Sequence, residues 1–283
     1  MTIEFLICTI DAGILKIPAL LMPPMPGVCY LVSWQHSYTH TAVSANRECN
    51  VPLTAQADLP EVLIRRPDVR VVELQGKGLS RNRNNALKHA IGDWLIIADD
   101  DCRYTPDSIN AVKKAIALHP QAAILQLQGT DFEGHPLQNY PAAPYEYRTR
   151  PRYAFVASWE LVLRRSAGLP QFDERFGLGT YMCCGEEDLF VHQTSERGGA
   201  VYYEPLHLVN TPGETTGTRF AELQGVQRAK GGVLTMIHGP WGAVLRSLKY
   251  ACLYPNVSVC RRLSFFVQML KGIRYVLFSH PLP

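Results

Sequence analysis

Short, nearly continuous apolar runs recur through the first half of the chain: IEFLICTI (3–10), GVCYLVSW (27–34), VRVVELQ (69–75), WLIIA (94–98) and AAILQLQG (122–129). Runs of this length without strict alternation predict strands buried on both faces, as in parallel sheets. The stretches between them change period. GKGLSRNRNNALKHAIGD places Ser80 where a helix cap belongs and Gly92 where that helix would end. Thr105-Pro106 opens another helix, and DSINAVKKAIALH carries its apolar residues three and four apart. Strand and helix alternating in this way predict an α/β fold: a Rossmann-like, mostly parallel sheet flanked by helices. Ligands of such sheets bind at the carboxyl ends of the strands.

Beyond residue 129 the period weakens. Residues 130–157 are rich in Pro, Tyr and Arg and read as a loop-dominated cover over the site. Order returns with YAFVASWELVLRRSAGLPQFDERFG. A short helix follows in GEEDLFVHQTSERGG, with acids in its first turn and Arg197-Gly198 at its end, and then a strand in AVYYEPLHLVN. Further on, RRLSFFVQMLKGIRYVLF mixes bulky apolar residues with Arg261, Arg262, Lys271 and Arg274. Such a helix either lies in a membrane interface or packs on the main domain with its basic edge in water. The expected division is a main domain over 1–217 and a basic, amphipathic helical region over 218–283.

Charge sharpens that division. The net charge of +3 conceals nine Lys or Arg against one acid, Glu222, in 218–283, and a net of −5 elsewhere. A basic region on an acidic body suits a polyanion, either an anionic membrane surface or nucleic acid. The eight cysteines form no C-x-x-C pair, which argues against a zinc ribbon. With no secretory signal at MTIEFLICTI, the expectation is reduced thiols in a cytoplasmic protein. No stretch reaches the roughly 18 apolar residues of a membrane span.

The strand WLIIA runs directly into Asp99, Asp100 and Asp101. Adjacent like charges are not tolerated unpaired in a buried strand, so they project into the ligand crevice. Carboxylates at a strand end suit Mg²⁺ or Mn²⁺ bridged to phosphates; a solvated acidic turn is the competing reading. Arg81, Arg83 and Lys88 stand at or near a helix start, able to meet phosphates or simply to face water. Glu186, Glu187 and Asp188 in a first helical turn complement the helix dipole or supply a general base. His207 stands near the end of a strand and is either a structural imidazole or a further metal ligand. His36, His40, Trp34 and Tyr38 cluster after the second strand, where the aromatics stack on a base or pack a loop.

Taken in order, these segments resemble the family 2 glycosyltransferases of the GT-A fold, over roughly residues 1–215. The residues that carry the resemblance are GLSRNRNNALKHAIGDWLIIADDD, then FDERFGLGTYMCCGEEDLFVHQTSERGG. The likeness is to bacterial members that build surface polysaccharides. It implies a GT-A nucleotide-sugar domain over 1–217 with the basic helical extension behind it. It implies an inverting transfer from a nucleotide-sugar, a UDP-sugar first, to a saccharide or lipid-linked saccharide acceptor. Carried onto this chain, Asp99 and Asp100 face the donor, Asp99 at its ribose, and Asp101 holds the divalent metal, Mn²⁺ or Mg²⁺, with His207 as a candidate further ligand. Arg83 lies near the donor phosphates and Thr9 near the nucleotide. Asp188, or Glu187 beside it, deprotonates the acceptor. Where the family has DDGSTD, this chain has VSWQHSYTH, so Ser33 or Gln35 takes the place of the base-contacting carboxylate. The implied setting is cytoplasmic, peripheral on the inner face of the membrane, with no nucleic-acid partner.

Two other classes fit part of the pattern. A metal-dependent nucleotidyltransferase or phosphohydrolase also uses clustered Asp, but does not account for FDERF and GEED. A non-catalytic nucleotide-binding protein with a polyanion-binding tail accounts for the basic region and leaves both acidic segments idle.

Overall fold

The computed structural model describes residues 1–37, 59–213, 216–255 and 257–279. The strands are β1 (Ile3–Ile10), β2 (Val28–His36), β3 (Val69–Gln75), β4 (Trp94–Asp99), β5 (Ile124–Thr130), β6 (Tyr145–Glu146), β7 (Leu161–Arg164) and β8 (Val201–Asn210). The α-helices are α1 (Glu61–Arg65), α2 (Leu79–His89), α3 (Pro106–Leu118), α4 (Glu186–Glu196), α5 (Gln224–Leu253) and α6 (Arg262–Phe278). The strands form one sheet in the order β3-β2-β1-β4-β7-β5-β8-β6. β1 pairs parallel with β2 and β4, β2 with β3, and β5 with β8. β7 enters antiparallel between β4 and β5, and β6 antiparallel on β8. The fold is therefore the expected mostly parallel, GT-A-like sheet.

Alternate residues of the central strands serve opposite faces, as the pleat requires. Phe5 and Ile7 pack with Val32, Ile96 and the α3 residues Ile109, Val112 and Ile116. Leu6 and Cys8 pack with Leu31, Ile97, Ala86 of α2 and Phe190 of α4. With both faces covered, each strand must be apolar throughout, which is why the runs in the sequence lack alternation. Strand order reverses between β1 and β4, so the crevice opens at their carboxyl ends. Register places Asp99 opposite Cys8 at the last residue of β4. Asp100 and Asp101 turn beyond the sheet edge.

Two expected helix boundaries shift and one holds. Helix α2 begins at Leu79 behind Gly78, whose φ of 115° suits glycine alone, and Ser80 lies inside its first turn. The Ser80 hydroxyl donates instead to the Phe176 carbonyl at 2.7 Å. The helix ends at His89, and the Gly92 amide donates to Glu4 Oε2 at 2.7 Å. Helix α3 begins at Pro106 as expected, with the Thr105 amide donating to the Ser108 hydroxyl at 3.0 Å.

The described part of 218–283 is helical. Helix α5 is kinked at Gly239 (φ 71°, ψ 171°), immediately before Pro240. Its first half meets α6 at two glycines. A Cβ on Gly231 would overlap the Met269 carbonyl, and one on Gly272 the Arg228 carbonyl. Contacts that advance along α5 while retreating along α6 make the pair an antiparallel hairpin. Arg175, buried in the FDERF turn and paired with Asp173, donates to the carbonyls of Val276 (3.2 Å) and Ser279 (3.0 Å). It thereby satisfies the C-terminal end of α6 and ties the hairpin to the sheet.

Candidate active site

The site is assembled by helix α2, whose polar residues each reach a different element because successive positions are turned by about 100°. Asn82 donates to the Thr9 carbonyl (3.0 Å), at the end of β1. Asn84 donates to the Phe172 carbonyl (2.9 Å) and accepts the Phe172 amide (2.8 Å), a two-way link to the FDERF turn. Asn85 donates to Ser33 Oγ (2.8 Å) on β2. Attention to the basic residues of RNRNN hides this; the signal was the run of amides itself, unusual in a helix interior.

Arg83 occupies the centre. It is 1 % exposed. Its Nη1 donates to Glu186 Oε1 (2.7 Å), and its Nη2 to Asp99 Oδ1 (2.9 Å) and Ser158 Oγ (2.7 Å). The guanidinium also lies over the Phe172 ring, 5.7 Å from its centroid. Arg83, expected near the donor phosphates, is a buried strut whose Nη donors are taken up by carboxylates and a hydroxyl. A charge removed from water requires such pairing.

The three aspartates have separate surroundings. Asp99 holds Arg83. Asp100 Oδ2 accepts the Thr9 hydroxyl at 2.7 Å, and Lys16 Nζ lies 3.8 Å from Oδ1. A single-turn-after-turn 3₁₀ segment, Asp11–Ala19, packs on this bond so closely that a Cβ on Gly13 would overlap both Thr9 Oγ1 and Asp100 Oδ2. Asp101 is exposed, its carboxyl pushed up by desolvation and by repulsion from Asp99 and Asp100. Like-charge repulsion on Asp101 that a cation would relieve fits a divalent metal, which Asp101 and Asp99 would hold. His207 is not brought to them. It is exposed on β8, with its Nε2 3.2 Å from Thr130 Oγ1. β7 and β5 lie between β8 and β4 in the sheet, although the end of β8 returns to the aspartate turn, where Asn210 bridges Arg103. Among the described residues, the acidic and imidazole atoms that gather as a group of three are those of Asp131, Glu133 and His135. There Asp131 Oδ1 already accepts the amides of Glu133 (2.9 Å) and His135 (2.8 Å), closing an exposed turn.

At the second strand the expectations divide. Ser33 is fully buried, its hydroxyl taken by Asn85. Gln35 is also buried, but its Nε2 has no partner, an unmet donor beside the end of β1. Thr9 is buried as well, oriented by Asp100 and Asn82. Asp11, which sequence reasoning passed over, has a positive φ of 47° and accepts the Ser37 amide (2.8 Å) and hydroxyl (2.6 Å). Its carbonyl accepts Trp34 Nε1 at 2.8 Å. A non-glycine residue held in that region is uncommon and marks a constrained turn. The His36 ring lies tilted against Trp34, with centroids 4.3 Å apart and planes at 49°; Tyr38 and His40 lie outside the described residues.

Helix α4 starts at Glu186 behind Gly185 (φ 90°). Glu186 is buried against Arg83, so the acidic triplet is not uniform. Glu187 and Asp188 line a cavity of about 550 Å³. Desolvation, then repulsion from Glu186 and Asp188, pushes the Glu187 carboxyl well above the ordinary range. The same cavity is lined by Arg83 and Asp99, by Gln138 and Phe155 from the expected cover, by Trp159 just after it, and by Val226, Lys230 and Val233 of α5. The two acidic segments therefore share one space, roofed in part by the basic C-terminal region. A smaller cavity of about 140 Å³, lined by Asp93, Trp94 and Arg164, sits at the amino end of β4, away from these carboxylates.

Residues 55–163 match the family model described as glycosyl transferase family 2. That segment contains Arg83 and Asp99 to Asp101; Glu187 and Asp188 lie beyond it. No curated protein matches the chain. Among solved structures, the chain is similar to Staphylococcus aureus TarS 1-349, with a TM-score of 0.57 and 14 % identity, covering 98 % of this chain and 81 % of that one. It is also similar to the same fragment in complex with UDP (TM-score 0.54, 15 % identity, 98 % and 83 % covered) and in complex with UDP-GlcNAc (TM-score 0.55, 15 % identity, 98 % and 81 % covered). At this identity the likeness is one of fold. The resemblance to family 2 glycosyltransferases stands, on the family segment and the GT-A-like sheet together.

Proposed function

We propose that this chain, carrying a family 2 glycosyltransferase segment on a GT-A-like sheet, is an inverting, metal-dependent glycosyltransferase. It moves a sugar from a nucleotide-sugar, of the UDP class, to a hydroxyl of a saccharide or lipid-linked saccharide in cell-surface polysaccharide synthesis. The observation that carries this reading is the shared cavity, in which Asp99 of one acidic segment and Glu187 and Asp188 of the other are held together through Arg83 and Glu186. The UDP and UDP-GlcNAc complexes of the similar TarS fragment support the donor class. We place the reaction in the cytoplasm, the compartment that supplies nucleotide-sugars.

The roles follow from the surroundings. Gln35 offers the donor base an unpartnered amide, and Thr9 and Asp100 shape the crevice floor. Asp101 and Asp99 would hold Mn²⁺ or Mg²⁺, which supplies neutralisation of the charge developing on the leaving diphosphate. Asp188, in the first turn of α4 where the helix dipole favours a carboxylate, takes the proton of the acceptor hydroxyl. Burial, then repulsion from Glu186 and Asp188, pushes up the Glu187 carboxyl beside it. The acceptor oxygen attacks the anomeric carbon opposite the leaving diphosphate, forming one C–O bond as the other breaks, and the configuration inverts. Arg83 positions both acidic segments without touching the reacting atoms.

Calorimetric titration with UDP, GDP, CMP and dTDP, each with and without Mn²⁺, tests the reading. Metal-dependent binding of one nucleotide, lost in Asp101→Asn, is the expected result. Binding of none would overturn it.

A further inference from the structure

The outer half of α5 is packed the wrong way round for a helix in water. Beyond the Gly239 kink, its buried positions are the small residues Ala243, Ser247 and Ala251. Its large apolar residues point outward: Trp241 is 82 % exposed, Leu245 69 % and Leu248 48 %. At spacings of four and three they form a single stripe. An amphipathic helix that only needed to cover its own core would bury the large side chains and expose the small ones. Helix α6 adds a second outward row, with Leu263 74 % exposed and Val267 one turn later.

Charge identifies what meets this surface. Arg246 and Lys249 directly follow Leu245 and Leu248, and Arg261, Lys271 and Arg274 are exposed on α6 and its approach. No acid occurs between Leu223 and Phe278. Interfaces between proteins are depleted of lysine at their centre. A tryptophan and leucines interleaved with Lys and Arg are instead the composition of a helix seated at the headgroup level of an anionic bilayer. No described helix is long and apolar enough to cross a membrane, which suits a helix that lies on one.

We infer that the outer half of α5, with the exposed row of α6, docks the protein on an anionic lipid surface through Trp241, Leu245 and Leu248. The inner half of the same helix lines the cavity with Val226, Ala229 and Val233. The kinked hairpin thus connects the bilayer to the carboxylates. That connection deepens the reading of a lipid-linked acceptor and rests on it; the docking itself does not.

The test uses the whole chain and vesicles of phosphatidylcholine, alone or mixed with phosphatidylglycerol. The expected result is co-sedimentation with the mixed vesicles, weakened by added salt and lost in the combined Trp241→Ser, Leu245→Ser, Leu248→Ser variant. Arg246→Glu with Lys249→Glu should lower it at least tenfold. Brominated phosphatidylcholine in the mixed vesicles gives an independent readout. Trp34, Trp94 and Trp159 are buried, so quenching reports Trp241. Vesicle binding equal in the variant and the parent chain would overturn the proposal. So would absence of binding, or a light-scattering mass showing that the stripe instead holds a second copy of the chain. Nucleotide binding, measured by calorimetry without vesicles, separates failure of docking from failure of the transferase reading.

Discussion

Arg83 and Glu186 stand 103 residues apart in the chain and meet at 2.7 Å in its interior. One guanidinium thereby fixes the distance between the aspartates at the end of β4 and the carboxylates at the start of α4. Asp99 and Glu186 are both pulled toward the same cation, and the cavity is the space left between the two segments.

Breaking this pair on one side leaves a buried charge uncompensated. Glu186→Gln is expected to cost about 3–5 kcal/mol of stability, the usual range for removing one partner of a buried ion pair. Arg83→Lys keeps the charge but has no fork to span Glu186 and Asp99 together. Urea unfolding of both variants checks this; a loss below about 1 kcal/mol in each would show that the pair is not the strut.

The two acidic segments should separate by experiment. Asp101→Asn is expected to abolish transfer and metal-dependent nucleotide binding with the fold intact. Asp188→Asn is expected to lower turnover by about 10²–10⁴-fold, the scale of a lost general base, while nucleotide binding is retained. Single-turnover kinetics beside calorimetry reads both. Loss of nucleotide binding in Asp188→Asn would place that residue on the donor instead.

Glu160 sets a pH dependence of stability. It is buried, and it accepts from Gln126 (2.7 Å), Tyr140 (2.6 Å), Gln138 (2.5 Å) and the Ala157 amide (3.2 Å). Burial pushes its carboxyl up to about 7, with those hydrogen bonds opposing the shift. The folded protein therefore holds this proton longer than the unfolded chain, whose glutamate titrates near 4.3. Stability falls as pH rises from about 4.3 to about 7 and then levels, a change on the order of 3 kcal/mol. Glu160→Gln, which does not titrate, should flatten that slope in urea titrations run across this window. An unchanged slope would assign the dependence elsewhere.

The hairpin should be intolerant of one methyl group. Gly272→Ala places a Cβ against the Arg228 carbonyl, and backbone cannot yield as a side-chain tip does. The expected loss is about 1–3 kcal/mol, the cost of overpacking, read as a lower thermal midpoint. Gly134→Ala, with no neighbouring atom within 4 Å but a positive φ of 90°, is the control for backbone strain alone.

The strands that carry the site were legible in the chain because each is short, apolar throughout and ended by a residue that cannot continue it. WLIIA stops at Asp99 because three successive carboxylates have no place in a sheet covered on both faces. Thr105-Pro106 marked a helix start by local chemistry, and the Thr-Pro pair acts within a few residues of itself. Glu186 to Asp188 were legible as the acidic first turn of a helix for the same local reason.

What the order of residues alone determined, then, was every feature whose cause is local: the parallel-strand runs, the helix starts, the acidic ends of β4 and of the Gly185 turn, and the excess of cations after residue 218. Tertiary structure decided which of those groups face a ligand. It buried Ser33 against Asn85, turned Arg83 inward between Asp99 and Glu186, set His207 on β8 against Thr130, and aimed Trp241 and Leu245 outward over Ala243 and Ser247. These outcomes depend on partners tens to a hundred residues distant. Periodicity and capping act over a turn or a strand, whereas the pairing of a buried charge is settled only when the sheet order brings its counter-charge to it.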